Sequence, residues 1–495
     1  MPSFQNLIGP DWQDAQSGKT FESSNPARRS DVVGSFPHSG AADVDAAGKA
    51  ARTAYKTWSA IPAPKRGDYL RRIGDVMTER KDELAHAMTR EMGKPFFETK
   101  GDVQEAIDTA YYAATEGRRL FGHTVPSEMA NKFNMTIRRP IGVIGVITAW
   151  NFPVAVPTWK IFPAILAGNT VIFKPSEDAA HSGMLLVQAL LDAGLPAGVV
   201  NLIQGDSEAG SALVEHEGID AITFTGSSET GARIAERCGR LHKRVSLEMG
   251  GKNPAIVMED ADLDLAVDGL VWGAFGTTGQ RCTATSRLII HRDVHDEVVS
   301  KLKARADDLT LGYGNDEDTE MGPLINQDAF DKVNGYMDVA RNGGATIACG
   351  GGRADGAGLD DGYFFQPTIL TDVNREMRVA REEIFGPVLS VIKISSFEEA
   401  IDVANDVKYG LSSAVYTRDV ARAFQAMHAI EAGITYINGP TIGAEAHMPF
   451  GGVKQTGNGH REGGWEVFDF YTETKTVYVD YSGSLQRAQI DNYKD

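Results

Sequence analysis

From Ile141 onward the chain alternates short β-branched runs with helical stretches, and this alternation limits its fold more than any other feature. IGVIGVITAW precedes an apolar helical stretch near Pro157–Leu166, NTVIFKP precedes HSGMLLVQALLDAG, and AITFTGS precedes SETGARIAERCG. A second block of the same kind begins near Asn253. Because parallel strands need a crossover connection, strand-helix alternation predicts βαβ units and an α/β fold with parallel sheets.

Two other regions depart from this alternation. Residues 40–120 have apolar positions at helical spacing, as in PKRGDYLRRIGDVMTERKDELAHAMTREMG, which predicts several consecutive helices. Near the end of the chain, TKTVYVDYSG has the composition of a strand. Together with IRRPIG, far upstream, it is expected to form a small additional sheet.

Composition limits the partners. The 495 residues include 49 Lys and Arg against 67 Asp and Glu, so the formal net charge is −18. Because an acidic surface repels phosphate backbones, no nucleic-acid partner is expected. The longest apolar stretch, residues 137–173, is interrupted by charged residues and prolines. That pattern is typical of a buried core, so no membrane partner is expected either.

Cysteine usage and the N-terminal sequence bear on location and metal content. Three cysteines are too few for a disulfide framework, and MPSFQNLIGPDWQDA lacks the basic and apolar segments of a secretion signal. A cytoplasmic location is therefore expected. The three cysteines and 11 histidines have none of the spacings typical of a zinc site, so no metal is expected.

One cysteine, Cys282, has an unusual context. A lone cysteine is most often a small buried hydrophobe, and Cys238, in a helical pattern, and Cys349, in a strand pattern, fit that description. Cys282 instead follows the segment 276–280, in which two glycines bracket two threonines and can bring backbone N–H groups close to a ligand. The adjacent Arg281 is expected to favour the thiolate, which makes Cys282 a candidate nucleophile.

Two polar residues in apolar surroundings are further candidates. Glu248 ends a β-branched run and is followed by two glycines, and strand ends in open α/β sheets are where sites form. It is therefore a candidate general base. Asn151 interrupts the apolar run TAWNFPVAV, and it is either a hydrogen-bonded core amide or a donor to an oxyanion.

Seven segments, in one consistent order, resemble the aldehyde dehydrogenase superfamily. The likeness extends from about Tyr55 to Asp480, and the segments are WNFP (150–153), NTVIFKPSE, FTGSSETG, LEMGGKNP, GQRC, EEIFGPV and PFGGVKQTG. Each is weak evidence alone, whereas the ordered set is specific. The resemblance implies a Rossmann-type parallel-sheet cofactor domain, an α/β catalytic domain and a small bridging sheet.

The resemblance also implies domain boundaries. Residues 1–121 and 140–250 would form the NAD-binding domain, residues 251–471 the catalytic domain, and residues 122–139 with 472–495 the oligomerisation segment. In the family this last sheet pairs between subunits, which covers its edge. A homodimer or homotetramer is therefore expected.

A reaction cycle follows from the resemblance. Cys282 would attack the carbonyl of an aldehyde, and the oxyanion would be held by the Asn151 side chain and the Cys282 backbone N–H. After hydride transfer to NAD⁺ a thioester would remain, and Glu248 would activate the water that hydrolyses it. The family's coenzyme A-acylating members usually lack that glutamate, so its presence favours a free acid as the product.

The resemblance implies seven cofactor contacts, which are Trp150, Lys174, Glu177, Gly226, Ser227, Glu383 and Phe385. Trp150, Lys174 and Glu177 match positions at the adenosine, and Gly226 and Ser227 match residues beside the pyrophosphate at a helix N-terminus. Glu383 and Phe385 match contacts to the nicotinamide ribose. A carboxylate at Glu177 would repel a 2′-phosphate, which favours NAD⁺, with NADP⁺ as the alternative.

The substrate is less constrained. GQRCTATSR resembles bacterial semialdehyde dehydrogenases, including α-ketoglutaric semialdehyde enzymes, and INGPTIGAEAHMPFGG resembles the aminoadipic semialdehyde branch. Trp159, Phe450 and the segment 441–447 are expected to border the substrate pocket, and the two aromatic residues are core residues on the alternative interpretation. Two rival functions remain: a coenzyme A-acylating dehydrogenase and a catalytically silent structural member of the family.

Overall fold

The computed structural model describes residues 1–356 and 358–491, which contain fifteen α-helices and twenty-one strands. The helices are α1 (Ala41–Trp58), α2 (Ala63–Glu79), α3 (Lys81–Met92), α4 (Phe96–Glu116), α5 (Ala155–Ala167), α6 (Ala180–Asp192), α7 (Ser207–Glu215), α8 (Ser228–Arg240), α9 (Leu263–Phe275), α10 (His295–Asp307), α11 (Gln327–Gly343), α12 (Arg378–Arg381), α13 (Phe397–Asn405), α14 (Val420–Ala429) and α15 (Val467–Tyr471).

The strands are β1 (Asn6–Ile8), β2 (Asp11–Gln13), β3 (Thr20–Ser24), β4 (Val32–Pro37), β5 (Thr124–Pro126), β6 (Lys132–Pro140), β7 (Val143–Ile147), β8 (Thr170–Lys174), β9 (Val200–Leu202), β10 (Ala221–Thr225), β11 (Arg244–Glu248), β12 (Asn253–Val257), β13 (Thr285–His291), β14 (Thr346–Cys349), β15 (Thr368–Val373), β16 (Val388–Ile394), β17 (Tyr409–Gly410), β18 (Ser412–Tyr416), β19 (Ile434–Ile437), β20 (Val453–Lys454) and β21 (Thr472–Asp480).

The first large sheet has seven strands in the order β11-β10-β7-β8-β9-β1-β2. Its five strands from β7 to β11 run parallel, and the antiparallel hairpin β1-β2 is added at one edge. Strand β7 and strand β8 are buried along their whole length, because helices cover both faces of the sheet. Helix α5 is almost entirely buried, which explains why its sequence is apolar on every side.

The second large sheet also has seven strands, in the order β14-β15-β16-β13-β12-β18-β19. All neighbours are parallel except the pair β14-β15 at one edge. Its two faces are packed by separate hydrophobic clusters, one containing Phe365 and Met337 and the other Phe275 and Leu302. The α/β class with parallel sheets, predicted from the alternation, is therefore confirmed.

A third sheet contains three antiparallel strands in the order β21-β6-β5. The pairing of β21 with β6 confirms the additional sheet expected from TKTVYVDYSG and IRRPIG. Directly opposed residues share a face, so Phe133 opposite Val479 lies on the same face as Met135 opposite Val477. Phe133 and Val479 are 45% and 43% exposed, so this face is apolar and uncovered in the described chain.

The four helices α1 to α4 confirm the helical prediction for residues 40–120, and they pack against the first sheet. A fully buried ion pair joins α4 to α5: Lys94 Nζ lies 3.1 Å from Asp102 Oδ2, and Asp102 Oδ1 accepts the Ala155 amide at the start of α5. Of the helices in the described residues, none combines the length and apolar composition that crossing a bilayer requires.

Candidate active site

The carboxyl edge of the first sheet brings together residues that are far apart in the sequence. Asn151 follows β7, Gly226 follows β10, and Glu248 is the last residue of β11. Parallel strands place their carboxyl ends at one edge, and this is where open α/β sheets bind ligands. The thiol of Cys282 reaches the same place from the other side, between α9 and β13.

The segment before Cys282 has a strained backbone. Thr277 and Thr278 have φ values of 52° and 58°, in the left-handed region that β-branched residues rarely adopt. Glu98 of α4 fixes this turn, because its carboxylate accepts the Thr277 amide at 2.9 Å and the Thr277 hydroxyl at 2.6 Å. Strained residues persist where the surroundings over-determine them, and they cluster at functional sites.

Cys282 lies at the wall between two cavities. Cavity A, about 740 Å³ of empty space including its solvent-open part, is lined by Glu105, Phe152, Ala155, Val156, Trp159, Thr225, Glu248, Met249, Arg281, Cys282, Thr283, Leu411, Ile442, Gly443, Ala444, Phe450 and Glu462. Cavity B, about 960 Å³ on the same measure, is lined by Ala149, Trp150, Asn151, Phe152, Val156, Thr225, Gly226, Ser227, Met249, Gly250, Cys282, Ile325, Asn326, Ala329, Lys332, Glu383 and Phe385. A ligand in either cavity therefore borders the residue that carries the thiol.

Cavity A contains the predicted base and both predicted pocket aromatics. The rings of Trp159 and Phe450 lie 4.7 Å apart, and both pack with Leu411 near Cys282. Ile442, Gly443 and Ala444, within the segment 441–447 expected at the substrate pocket, also line this cavity. The structure therefore brings Glu248, Cys282, Trp159 and Phe450 around one space.

Five of the seven predicted cofactor residues line cavity B. Ser227 caps the N-terminus of α8, where its side chain accepts the Thr230 amide. Glu383 Oε1 accepts the Gly251 amide at 2.9 Å, and a Cβ at Gly250 would lie 2.1 Å from Glu383 Oε2, so a side chain at position 250 would displace this carboxylate. The ring of Phe385 packs edge-on against Trp150, so Trp150 lies beside a residue assigned to the nicotinamide end.

The other two cofactor candidates, Lys174 and Glu177, do not line cavity B in the described structure. Lys174 Nζ donates to the carbonyls of Pro175 and Gly205 and lies 3.9 Å from Glu177. Glu177 lines a third space, cavity C, which shares Ile325 and Asn326 with cavity B. Cavities B and C therefore meet at Ile325 and Asn326 and form neighbouring parts of one cleft.

The environment of Cys282 opposes ionisation of its thiol. Burial raises its pKa to about 12, and the nearby carboxylates of Glu248 and Glu383 act in the same direction. Arg281 was expected to favour the thiolate, but its guanidinium forms an ion pair with Glu98 and donates to the Thr277 hydroxyl. Two of the three guanidinium nitrogens are therefore engaged with Glu98 and Thr277 rather than with the thiol.

Glu248 is buried with no hydrogen-bond partner for either carboxylate oxygen among the described residues. Burial and the adjacent Glu462 raise its pKa well above the usual value, while Lys160 opposes this shift. Arg461 and the backbone amide of Gly452 also oppose the shift. A carboxyl group with a raised pKa binds a proton more strongly, which is the property that a general base requires.

The partner network of Glu248 was missed by sequence reasoning. Lys160, on the buried helix α5, forms an ion pair with Glu462 and donates to the Thr223 hydroxyl at 3.2 Å. Burial raises the pKa of Glu462, and Lys160 opposes this. A lysine inside the apolar run TWKIFPAIL was the one signal of this network, because a buried charge needs a partner.

Asn151 provides hydrogen-bond donors beside the thiol. Its Nδ2 donates to the Gln280 carbonyl at 3.0 Å, which fixes the amide and leaves the second N–H for a ligand. In the described residues the Cys282 amide donates no hydrogen bond, so it too is available. These are the two groups expected to hold an oxyanion.

A strained thiol loop, a buried carboxylate and two cavities at the carboxyl edge of a parallel sheet define the class of an α/β enzyme with covalent cysteine chemistry. The model of the aldehyde dehydrogenase family matches residues 12–477. The chain belongs to the aldehyde dehydrogenase family, and it is an oxidoreductase that acts on aldehyde groups. The family and enzyme class predicted from the ordered motifs are confirmed.

Characterised relatives are similar over nearly the whole chain. An alpha-ketoglutaric semialdehyde dehydrogenase from Bacillus subtilis is 41% identical over 96% of this chain and 98% of its own length. An alpha-ketoglutarate semialdehyde dehydrogenase from Haloferax volcanii is 42% identical over 96% and 99%. The crystal structure of betaine aldehyde dehydrogenase from Staphylococcus aureus in complex with NAD⁺ has a TM-score of 0.95, 35% identity and coverage of 97% and 96%.

Proposed function

We propose that this protein oxidises an acid semialdehyde to the corresponding dicarboxylate with NAD⁺, through a thioester on Cys282. The observation that supports this most directly is the position of Cys282 at the wall between cavities A and B, with Glu248 lining cavity A. A nucleophile in that position borders the aldehyde on one side and the cofactor on the other.

The residues of the chain supply the covalent and proton-transfer steps. The Cys282 thiolate attacks the carbonyl carbon, a C–S bond forms, and the electron pair moves to the oxygen, which accepts hydrogen bonds from Asn151 Nδ2 and the Cys282 amide. Once the aldehyde hydrogen has left as hydride, the C=O bond re-forms as a thioester. Glu248 then takes a proton from water, the hydroxide attacks the thioester, and the C–S bond breaks to return the thiolate.

The residues of cavity B fit a dinucleotide. The buried hydroxyl group of Thr225, on the wall of this cavity, has no partner among the described residues, and the N-terminus of α8 offers free amides for a pyrophosphate. Glu383 is positioned by the Gly251 amide to accept ribose hydroxyls. NAD⁺, when bound, supplies the hydride acceptor. Two observations favour NAD⁺ over NADP⁺: the Staphylococcus aureus relative is in complex with NAD⁺, and Glu177 would repel a 2′-phosphate.

The substrate class is inferred from the relatives and the cavity. The relatives from Bacillus subtilis and Haloferax volcanii, at 41% and 42% identity, are both named for the semialdehyde of α-ketoglutarate, an aldehyde with a carboxylate at its far end. Cavity A offers an apolar wall of Phe152, Trp159, Leu411 and Phe450 for the carbon chain between the two ends. An acid semialdehyde matches this combination.

We further propose the domain division 1–121 with 140–250, 251–471, and 122–139 with 472–495. The three large sheets support it, because each draws its strands from one of these sets except for the single residue Pro140 of β6. Residues 492–495 of the last segment lie outside the described chain. The uncovered apolar face of the third sheet supports a homodimer or homotetramer, and a cytoplasmic location is part of the same proposal.

A kinetic screen tests the proposed function. Purified protein is assayed with aliphatic, aromatic and acid semialdehydes, each with NAD⁺ and with NADP⁺, and the product is identified by mass spectrometry. The expected result is the highest kcat/KM with an acid semialdehyde and NAD⁺, and one free carboxylic acid per NADH.

Three outcomes contradict it. A requirement for coenzyme A would show that the protein is an acylating dehydrogenase. A preference for NADP⁺ would show that Glu177 does not exclude the 2′-phosphate. Failure to reduce either cofactor with any aldehyde supports the silent structural alternative.

A further inference from the structure

We propose that Arg281 binds the anionic end of the substrate in cavity A. This inference rests on the proposed function, because it assigns the group that recognises the carboxylate of an acid semialdehyde. It also gives Arg281 a role other than the activation of the thiol that its position in the sequence suggested.

Arg281 is the one cationic side chain among the described residues that line cavity A. The other charged residues on that wall are Glu105, Glu248 and Glu462. An anion that enters the cavity can therefore form an ion pair with Arg281 alone. Arginine suits this task, because its planar fork matches the two oxygens of a carboxylate.

Burial disfavours the charged form of the three carboxyl groups on this wall. Burial raises the pKa of Glu105 to about 8, and burial likewise raises the pKa values of Glu248 and Glu462. Glu462 is in addition paired with Lys160. Arg281 is therefore the one side chain described on this wall that attracts an anion.

The guanidinium of Arg281 is held in place with one edge left free. Its Nε donates to the Thr277 hydroxyl at 2.8 Å, and Nη2 pairs with Glu98, whose side chain is only 1% exposed. Its face lies over the ring of Trp272 at 4.7 Å. Nη1 donates no hydrogen bond to any described residue. A donor that is fixed before the ligand arrives costs little conformational entropy on binding.

The position of Arg281 along the chain fits a substrate with two functional ends. Arg281, Cys282 and Thr283 all line cavity A, so the cation and the nucleophile belong to the same wall. The apolar side chains of Phe152, Leu411 and Phe450 line the remaining space. A short carbon chain can lie against them while its aldehyde meets Cys282 and its carboxylate meets Arg281.

The test compares two substrates of similar shape in the same enzyme preparation. With saturating NAD⁺, kcat/KM is measured for succinic semialdehyde and for 4-methylpentanal, in which an isopropyl group replaces the carboxylate. The variants are Arg281→Gln and Arg281→Lys. The control is Arg119→Gln, because Arg119 also pairs with a buried glutamate, Glu116, but lies outside cavities A and B. The ratio of the two kcat/KM values cancels any loss of folded enzyme.

The wild-type ratio is expected to favour succinic semialdehyde. Arg281→Gln should lower that ratio about 100-fold, which corresponds to about 2.7 kcal/mol. Arg281→Lys should lower it less, because the charge remains but the fork is lost, and Arg119→Gln should not change it.

Two results overturn the inference, and they are distinguishable from failure of the proposed function. The first is that the wild type oxidises both aldehydes with equal kcat/KM, and the second is that Arg281→Gln keeps the wild-type ratio. Either result would show that Arg281 does not bind the carboxylate, while the proposed oxidation of aldehydes would stand. A wild-type enzyme that produces no NADH with either substrate contradicts the proposed function and the inference together.

Discussion

At the residue scale, Glu248 is the group that separates the two proposed half-reactions. Replacement of Glu248 by Gln removes the base without changing its size, so the thioester should form but hydrolyse slowly. We expect one burst of NADH per active site, followed by steady turnover about 10² to 10⁴ times slower than in the wild type. Stopped-flow absorbance of NADH measures both phases.

A matched variant controls this experiment. Glu116→Gln alters another buried glutamate, which pairs with Arg119 away from cavities A and B, and it should keep normal turnover. If Glu248→Gln also retains steady turnover, Glu248 is not the base. If turnover falls without a burst, the glutamate acts before thioester formation.

Cys282 should show an ionisation far above neutral pH in the absence of cofactor. Its pKa is raised to about 12 by burial and by nearby carboxylates. Below that pKa the thiolate fraction rises tenfold per pH unit, so alkylation by iodoacetamide should accelerate about tenfold per unit between pH 7 and 9.5.

Mass spectrometry of the labelled protein follows this reaction. The variant Cys282→Ala gives the background from Cys238 and Cys349. A rate that levels off below pH 9 would contradict the raised pKa, and it would show that another group keeps the thiol ionised.

Sequence reasoning found the residues with unusual local context and missed those defined by their neighbours. Cys282, Glu248 and Asn151 each interrupt a local pattern, so they were visible in the sequence. Glu462 and Glu98 have no such pattern, because their importance comes from contacts with Lys160 and with Thr277 across the fold. The assignment of the Arg281 charge failed for the same reason.

At the scale of secondary-structure elements, the buried pair of Lys94 and Asp102 links α4 to α5. Asp102→Asn leaves the buried ammonium without a counter-charge, and loss of one partner of a buried pair costs about 3 to 5 kcal/mol. Thermal unfolding followed by circular dichroism should show a lower Tm. The effect should extend to the site, because Lys94 Nζ lies 3.7 Å from the ring centre of Phe152, which lines both cavities A and B.

The control is an ion pair on the surface of α1. Asp45→Asn removes the partner of Lys49 in an exposed i, i+4 pair, and no measurable change of Tm is expected. Equal Tm values for Asp102→Asn and the wild type would mean that Lys94 is deprotonated in the variant, or that water hydrates its ammonium group, with little loss of stability.

The elements themselves were predictable to different degrees. The parallel strands β7 to β11 and the helices between them have continuous apolar runs and helical periodicity, so the sequence predicted them. The short strands β1 to β5 were not predicted, because segments of three to six residues are too short to show a clear periodicity. Their pairing is fixed by distant segments, as in the contact of Leu7 with Leu202.

At the scale of the whole molecule, the apolar face of the third sheet should hold the oligomer together. Charged substitutions at Phe133 and Val479, which oppose one another on that face, would place ammonium groups in a buried interface. The double variant Phe133→Lys, Val479→Lys is expected to sediment as a smaller species than the wild type, which analytical ultracentrifugation measures.

A substitution on the opposite face of the same strands provides the comparison. Tyr478→Lys, at a position paired with Asn134, should perturb assembly less than the double variant if the apolar face alone is the interface. Unchanged sedimentation of the double variant would show that the subunits associate through another surface.

The arrangement of cavities A and B on opposite sides of Cys282 has a consequence for kinetic order. Because the two spaces have separate linings apart from a few shared residues, a compound that fills cavity A leaves room for the dinucleotide in cavity B. Inhibitors that resemble the acid product should therefore not compete with NAD⁺. The reduced cofactor can also leave while the acyl group is still attached to sulfur, so cofactor release and product release need not follow a single sequence.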